Sequence, residues 1–128
     1  MTTTLDTARK ALENYHDVTV DDDGALSFAH GGVVCAVQGF MLNEGLPVLN
    51  ITCVVAWDLP LESDVPTQVA LGAGEGLFGT PRVIRGENGW DVTMRYAFPA
   101  GGLDEKATGT LLMLVVSGAS SLRAELVS

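Results

Sequence analysis

Val48-Leu-Asn-Ile-Thr-Cys-Val-Val-Ala-Trp57 is the stretch on which the fold turns. Successive side chains of a strand point to opposite faces. Leu49, Ile51, Cys53, Val55 and Trp57 therefore form one apolar row, read as core. Val48, Asn50, Thr52, Val54 and Ala56 form the other row, too apolar for open water and too polar for a dry interior. What covers that second row is the question the sequence poses.

The strand has a natural partner. Residues 33–42 and 46–57 read as a hairpin closed by Asn43-Glu-Gly45, a three-residue loop with glycine at the left-handed position. This register sets Gln38 opposite Asn50, Ala36 opposite Thr52, Val37 opposite Ile51 and Cys35 opposite Cys53. Like meets like on both faces, which is how cross-strand pairs stabilise a sheet. Val33, Cys35 and Val37 join the core row, and Val34, Ala36, Gln38 and Phe40 join the mixed one.

Upstream, Leu5, Ala8, Ala11, Leu12 and Tyr15 recur at helical spacing, so residues 4–16 read as an amphipathic helix. Val18-Thr-Val20 and Leu26-Ser-Phe28 flank Asp21-Asp-Asp-Gly24, a turn sequence in which Asp tolerates and Gly supplies a positive φ. Downstream, Asp64 caps a helix with Pro66 in its first turn. That helix carries Val65, Val69 and Leu71, extends to Leu77 and Phe78 at most, and is weakened by Gly72, Gly74 and Gly76. Pro81 closes the segment. Residues 82–86 and 90–98 then pair around Glu87-Asn-Gly89, with Ile84 opposite Val92 and Arg85 opposite Asp91. Asp104 caps a final helix over 105–126, whose Leu111-Leu-Met-Leu-Val-Val116 run is apolar on every side and asks for cover on more than one.

The expected architecture is α+β, an antiparallel sheet with flanking helices in the order α-β-β-β-β-α-β-β-α. A chain of 128 residues suits one domain spanning 1–128. Sixteen acidic residues against seven Lys and Arg give a formal net charge of −9, and the cations are scattered, so no nucleic-acid partner is expected. Met1-Thr-Thr-Thr-Leu-Asp6 has neither region of a signal peptide, and the longest apolar run is short for a membrane span. A cytoplasmic protein with two reduced thiols and no membrane association is the expectation.

Catalytic and metal chemistry find no foothold in the pattern. Gly74-Glu-Gly-Leu-Phe-Gly79 spells G-x-G-x-x-G, but a helix precedes it and a strand follows, the reverse of the nucleotide-binding context, and Glu75 would repel phosphate. The Asp21–Asp23 run lacks the later ligands of a calcium loop. His16 and His30 have no Cys or carboxylate at ligand spacing and read as surface residues. Cys35 and Cys53 read as small buried hydrophobes able to pair under oxidation. Ser117, Ser120 and Ser121 lack a nucleophile elbow. Arg82, Arg85 and Arg95 make a candidate anion patch, set against a solvated face in which Arg85 pairs with Asp91. No enzyme activity and no cofactor are expected.

The arrangement resembles the YbjN-like family, whose domain is similar to type III secretion chaperones. The resemblance runs over nearly the whole chain. It rests on the first helix, Val18-Thr-Val-Asp-Asp-Asp-Gly-Ala-Leu-Ser-Phe28, the hairpin ending in Trp57-Asp-Leu-Pro60, Pro81-Arg-Val-Ile-Arg-Gly-Glu-Asn-Gly-Trp90, Arg95-Tyr-Ala-Phe-Pro-Ala-Gly-Gly-Leu-Asp-Glu105 and the long last helix. It implies a bacterial homodimer that binds an unidentified protein client and has no catalytic residues. The family's middle helix is often polar and contains Asn, whereas this chain has Ala70-Leu-Gly-Ala-Gly-Glu-Gly76.

Two functional readings follow. The first is a non-enzymatic protein-binding module, chaperone-like or regulatory, with Val34, Ala36, Phe40, Val48, Val54 and Ala56 as its contact surface. The second is a regulatory domain that binds a small apolar ligand between sheet and last helix, near Trp57, Trp90 and Tyr96.

Overall fold

Helix α1 (Thr4–Glu13) starts at a capping box in which the Asp6 amide donates to Thr3 Oγ1 at 3.0 Å and the Thr3 amide donates to Asp6 Oδ2 at 3.2 Å. Strands β1 (Thr19–Val20), β2 (Leu26–His30) and β3 (Val33–Leu42) follow, then a single 3-10 turn (Asn43–Gly45) and β4 (Leu46–Leu59). Helix α2 (Val65–Gly72), strands β5 (Thr80–Arg85) and β6 (Trp90–Pro99), and helix α3 (Glu105–Val127) complete the order. The computed structural model describes residues 3–72 and 78–127. The Gly74–Gly79 motif therefore lies largely outside the described residues, as do Leu77 and most of the glycine-rich stretch.

The six strands form one antiparallel sheet in the order β1-β2-β3-β4-β6-β5. The α+β architecture and its element order are as the sequence implies. Asp21–Gly24 and Asn43–Gly45 close the β1–β2 and β3–β4 hairpins, with Gly24 at φ +89° and Gly45 at φ +78°, a region L residues rarely occupy. The β3–β4 ladder has Gln38 opposite Asn50, Ala36 opposite Thr52, Val37 opposite Ile51 and Cys35 opposite Cys53.

All three helices pack on one face. Val33, Cys35, Val37, Leu49, Ile51, Cys53 and Val55 are sealed beneath Ala8 and Leu12 of α1, Val65 and Val69 of α2, and Leu112, Val115, Val116 and Ala119 of α3. By length and composition α3, with 23 residues, is apolar enough to cross a membrane, longer than the Leu111–Val116 run suggests. Here its Thr108, Leu112, Val115, Val116 and Ala119 row is the roof of the core. Asp104 caps it, accepting the Ala107 amide at 2.8 Å.

Two departures from strict alternation relocate side chains. The β4–β6 ladder slips between Val54 and Ala56 and again between Ala56 and Leu59. A bulge puts two residues against one, so Val55 and Ala56 are both buried and Ala56, 1% exposed and opposite Val92, leaves the mixed row for the core. Trp57, expected in the core, is instead 52% exposed, with the Arg123 guanidinium carbon 5.9 Å from its ring and Arg123 Nη1 donating to the Val55 carbonyl at 2.9 Å. Asp58 sits at φ +55°, and its amide is held by Asp91 Oδ1 at 3.0 Å.

The β5–β6 hairpin is one residue out from expectation. Its loop is four residues long, with the Gly86 amide donating to the Gly89 carbonyl at 2.9 Å. Val83 therefore faces Val92, Ile84 faces Asp91 and Arg85 faces Trp90. A one-residue slip turns every side chain of a strand to the other face. Pro81 lies in β5, an edge strand where its missing N–H is tolerated. Two smaller differences are that α1 ends before Tyr15, which is exposed, and that Leu71 at the end of α2 is exposed too.

Gly89 approaches the second bulge so closely that a Cβ there would run into the Leu59 carbonyl oxygen and sit 2.7 Å from the Asp58 carbonyl carbon. Backbone cannot yield as a flexible side chain does. Gly89→Ala should lower unfolding free energy by about 1–3 kcal/mol in urea titration, and an unchanged midpoint would contradict this bulge geometry.

Candidate interaction surface

The face of the sheet turned away from the helices is built from five rows that the ladders align. The longest crosses all six strands: Thr19, Ser27, Ala36, Thr52, Arg95 and Thr80. On one side of it lie Gln38, Asn50 and Ala97, then Phe40, Val48 and Pro99. On the other lie Ala29, Val34, Val54, Thr93 and Arg82, then Asp91 and Ile84. Small residues at the centre keep the face shallow, while apolar groups stand at both ends.

One polar cluster organises the middle. Arg95 Nε donates to Asn50 Oδ1 at 2.8 Å, and Asn50 Nδ2 donates to Thr52 Oγ1 at 3.2 Å. Asn50 is only 3% exposed although no helix of the described residues covers this face. Both ends of its amide are satisfied by neighbours, which is what a buried amide requires. The bond to Asn50 also fixes where the Arg95 guanidinium stands.

The residues expected to form a contact surface divide as follows. Val34 and Phe40 are each 47% exposed, while Ala36, Val48 and Val54 are half-buried on the same face. Ala56 does not belong to it, for the bulge described above. Asn50 belongs there too, as do Arg82 and Arg95 of the candidate anion patch, whereas Arg85 lies opposite Trp90 on the other face. The Gln38–Asn50 pairing points to Asn50, and the four-residue β5–β6 loop separates Arg85 from the other two arginines.

Trp57, Trp90 and Tyr96 do not gather around one cavity. Trp57 is exposed beside Arg123, Trp90 lies opposite Leu59 with its indole Nε1 buried and unpaired, and Tyr96 stacks against Phe98 at 5.7 Å and meets Phe78 edge-on at 5.8 Å. Clefts are formed elsewhere instead. A shallow groove of about 690 Å³ runs between α1 and α3, with Tyr15, His30, Lys106, Met113 and Leu114 on its walls. A smaller cleft of about 250 Å³ lies among Val69, Phe78, Pro81, Met94, Gly118 and Leu122.

His16 is not a free surface residue. Its ring packs edge-on against Phe28 at 4.9 Å and stacks on His30 at 5.3 Å, with both ring nitrogens buried and without a hydrogen-bond partner. Burial, helped by repulsion from His30 and opposed by Asp17, holds its pKa below the ordinary 6.5. Cys35 and Cys53 are directly opposed, buried and free. The hydrogen bond with Cys53, and burial after it, push the Cys35 thiol far above its usual range. A thiol held neutral is a poor nucleophile.

No protein-family model matches the sequence, and no curated protein matches it. The fold is similar to that of YbjN from E. coli, a protein proposed to be a transcription regulator, with a TM-score of 0.64 over 98% of this chain and 92% of that one at 13% identity. The two share a YbjN-like fold, and at this identity the likeness is one of architecture.

The His16 geometry has a pH signature. A base whose folded pKa is depressed binds its proton more readily in the unfolded chain, so its contribution is complete above about 6.5 and is lost as pH falls through that value towards the folded one. Chemical denaturation between pH 8 and pH 5 should show stability falling, and His16→Phe should flatten the decline. An identical pH profile in the variant would contradict the buried, unpaired imidazole.

Proposed function

We propose that this chain is a non-enzymatic protein-binding module, chaperone-like or regulatory, that acts as a homodimer and takes a protein client. The observation that carries the reading is that three helices cover one face of a six-stranded sheet and, among the described residues, leave the other uncovered. A sheet face bearing half-exposed Val34 and Phe40 loses free energy when a partner removes it from water, at roughly 25 cal/mol per Å² of apolar surface. The YbjN-like fold supports a regulatory or binding role by analogy.

The two partners have separate surfaces in this reading. From Ala107 to Leu122 α3 carries no charge, and its outward residues Thr110, Leu114, Ser117 and Ser121 recur at helical spacing on the solvent side. An uncharged helix flank beside the α1–α3 groove can meet its own copy without juxtaposing like charges, as a two-fold interface demands. The open sheet face is then left for the client. A cytoplasmic setting belongs to the same reading and suits two buried thiols.

A second reading keeps one specific observation. The cleft among Val69, Phe78, Pro81, Met94 and Leu122 is lined mainly by apolar side chains, as a site for a small apolar ligand would be. It lies between α2, α3 and the sheet rather than beside Trp57 and Trp90.

Val54→Asp places a charge on the outer face without touching the core row. It should abolish client capture in a cross-linking pull-down while shifting the urea midpoint little, and a variant that unfolds instead would make that face core. Leu114→Glu should convert a dimer at micromolar concentration to monomer in sedimentation velocity. Wild-type protein that sediments as a monomer and captures nothing would sink both halves of the proposal.

A further inference from the structure

The client surface is cationic at its centre in a molecule that is acidic overall. The outer face carries Arg82 and Arg95, and the one carboxylate in its rows is Asp91, paired with Ile84 in the last row, in a chain of formal net charge −9. The two arginines stand diagonally on adjacent strands, since Arg82 faces Thr93 and Arg95 faces Thr80. The ion pair of Arg9 with Glu13 at 3.5 Å involves neither arginine. The nearest acids are engaged at the margins: Asp21 accepts the Ser27 hydroxyl at 2.7 Å, and Asp91 accepts the Asp58 amide.

Resting on the protein-binding reading above, we propose that the open sheet face docks an acidic segment of a partner protein, with carboxylates on Arg82 and Arg95 and apolar side chains against Val34, Val54, Phe40 and Val48. Three observations favour this occupant. The Arg95 guanidinium is aimed by Asn50 and leaves its two terminal nitrogens free to grip a carboxylate. The apolar pairs Val34–Val54 and Phe40–Val48 lie on either side of the arginine row, so a segment crossing the strands meets apolar, cationic and apolar ground in turn. A second copy laid face to face would bring the two arginines of each towards the two of the other, with Asp91 of the last row as the only acid in the rows to offset them, and like-charge juxtaposition is costly. A nucleic acid would meet two cations on a strongly acidic body, too few to overcome the long-range repulsion.

The probe is an immobilised array of three synthetic peptide sets in which Leu, Val and Phe alternate with Asp and Glu, with Lys, or with Ser and Gln, beside a single-stranded DNA oligonucleotide. Wild-type protein should be captured by the acidic set, and capture should weaken as salt rises. The pair Arg82→Glu and Arg95→Glu should reduce acidic capture by about tenfold or more and shift preference towards the Lys set. Arg95→Glu also deprives Asn50 of its donor, so Arg82→Glu, which breaks no bond, is read alone and should weaken acidic capture with an unchanged melting temperature.

Capture of the neutral set as strongly as the acidic one, capture of the oligonucleotide in preference to both, indifference to Arg82→Glu, or no capture at all would each overturn the proposal. Loss of capture in Val54→Asp together with indifference to Arg82→Glu leaves the sheet face as a binding surface and removes only the acidic partner. Capture that survives Val54→Asp removes the surface itself.

Discussion

A six-stranded antiparallel sheet has two faces, and every helix of the described residues is committed to one of them. The commitment begins with β4, the longest strand, whose Leu49, Ile51, Cys53 and Val55 lie fully buried against α3. Closing that face uses the apolar residues of all three helices. The opposite face is therefore shaped by residues that must tolerate water yet hold the strands flat, and Asn50 shows how. Its amide is satisfied laterally by Arg95 and Thr52, so it can be buried on a face with no lid.

The same one-sidedness gives α3 a double exposure of its own. It roofs the core with one row and leaves Leu114 and its small neighbours outward. The molecule thus has two unpartnered surfaces of different character, an uncharged helix flank and a cationic, partly apolar sheet face. Their difference in charge, rather than their apolarity, is what separates the partner each would accept.

Most of the fold was legible because its signals are local. Alternation in 33–42 and 46–57, with Asn43-Glu-Gly45 between them, specifies the central register, and like-with-like pairing leaves little room for a slip. The misreadings have local causes too. Bulges in β4 carry no letter code, so strict alternation sent Trp57 inward and Ala56 outward, and the structure reverses both. Glu87-Asn-Gly89 looked like a three-residue loop, whereas Gly86 joins it through its amide. That single residue turns Arg82 from the core side to the outer face, beside Arg95. Of the candidate anion patch, Arg82 and Arg95 therefore share the outer face and Arg85, opposite Trp90, takes the other. His16 was misjudged differently: its burial depends on Phe28 and His30 arriving from another element, which spacing along the chain cannot show.

The central claim is that the outer sheet face stands free in the isolated molecule and that self-association, where it occurs, leaves it so. Hydroxyl-radical footprinting of the purified protein across a dilution series reads this side chain by side chain. Phe40 and Val34 should label strongly at every concentration, Phe28 and Phe98 weakly throughout, and Leu114 and Met113 should become protected as concentration rises. Phe40 and Val34 protected from the most dilute sample onward, or protected in step with self-association while Leu114 stays labelled, would contradict the account.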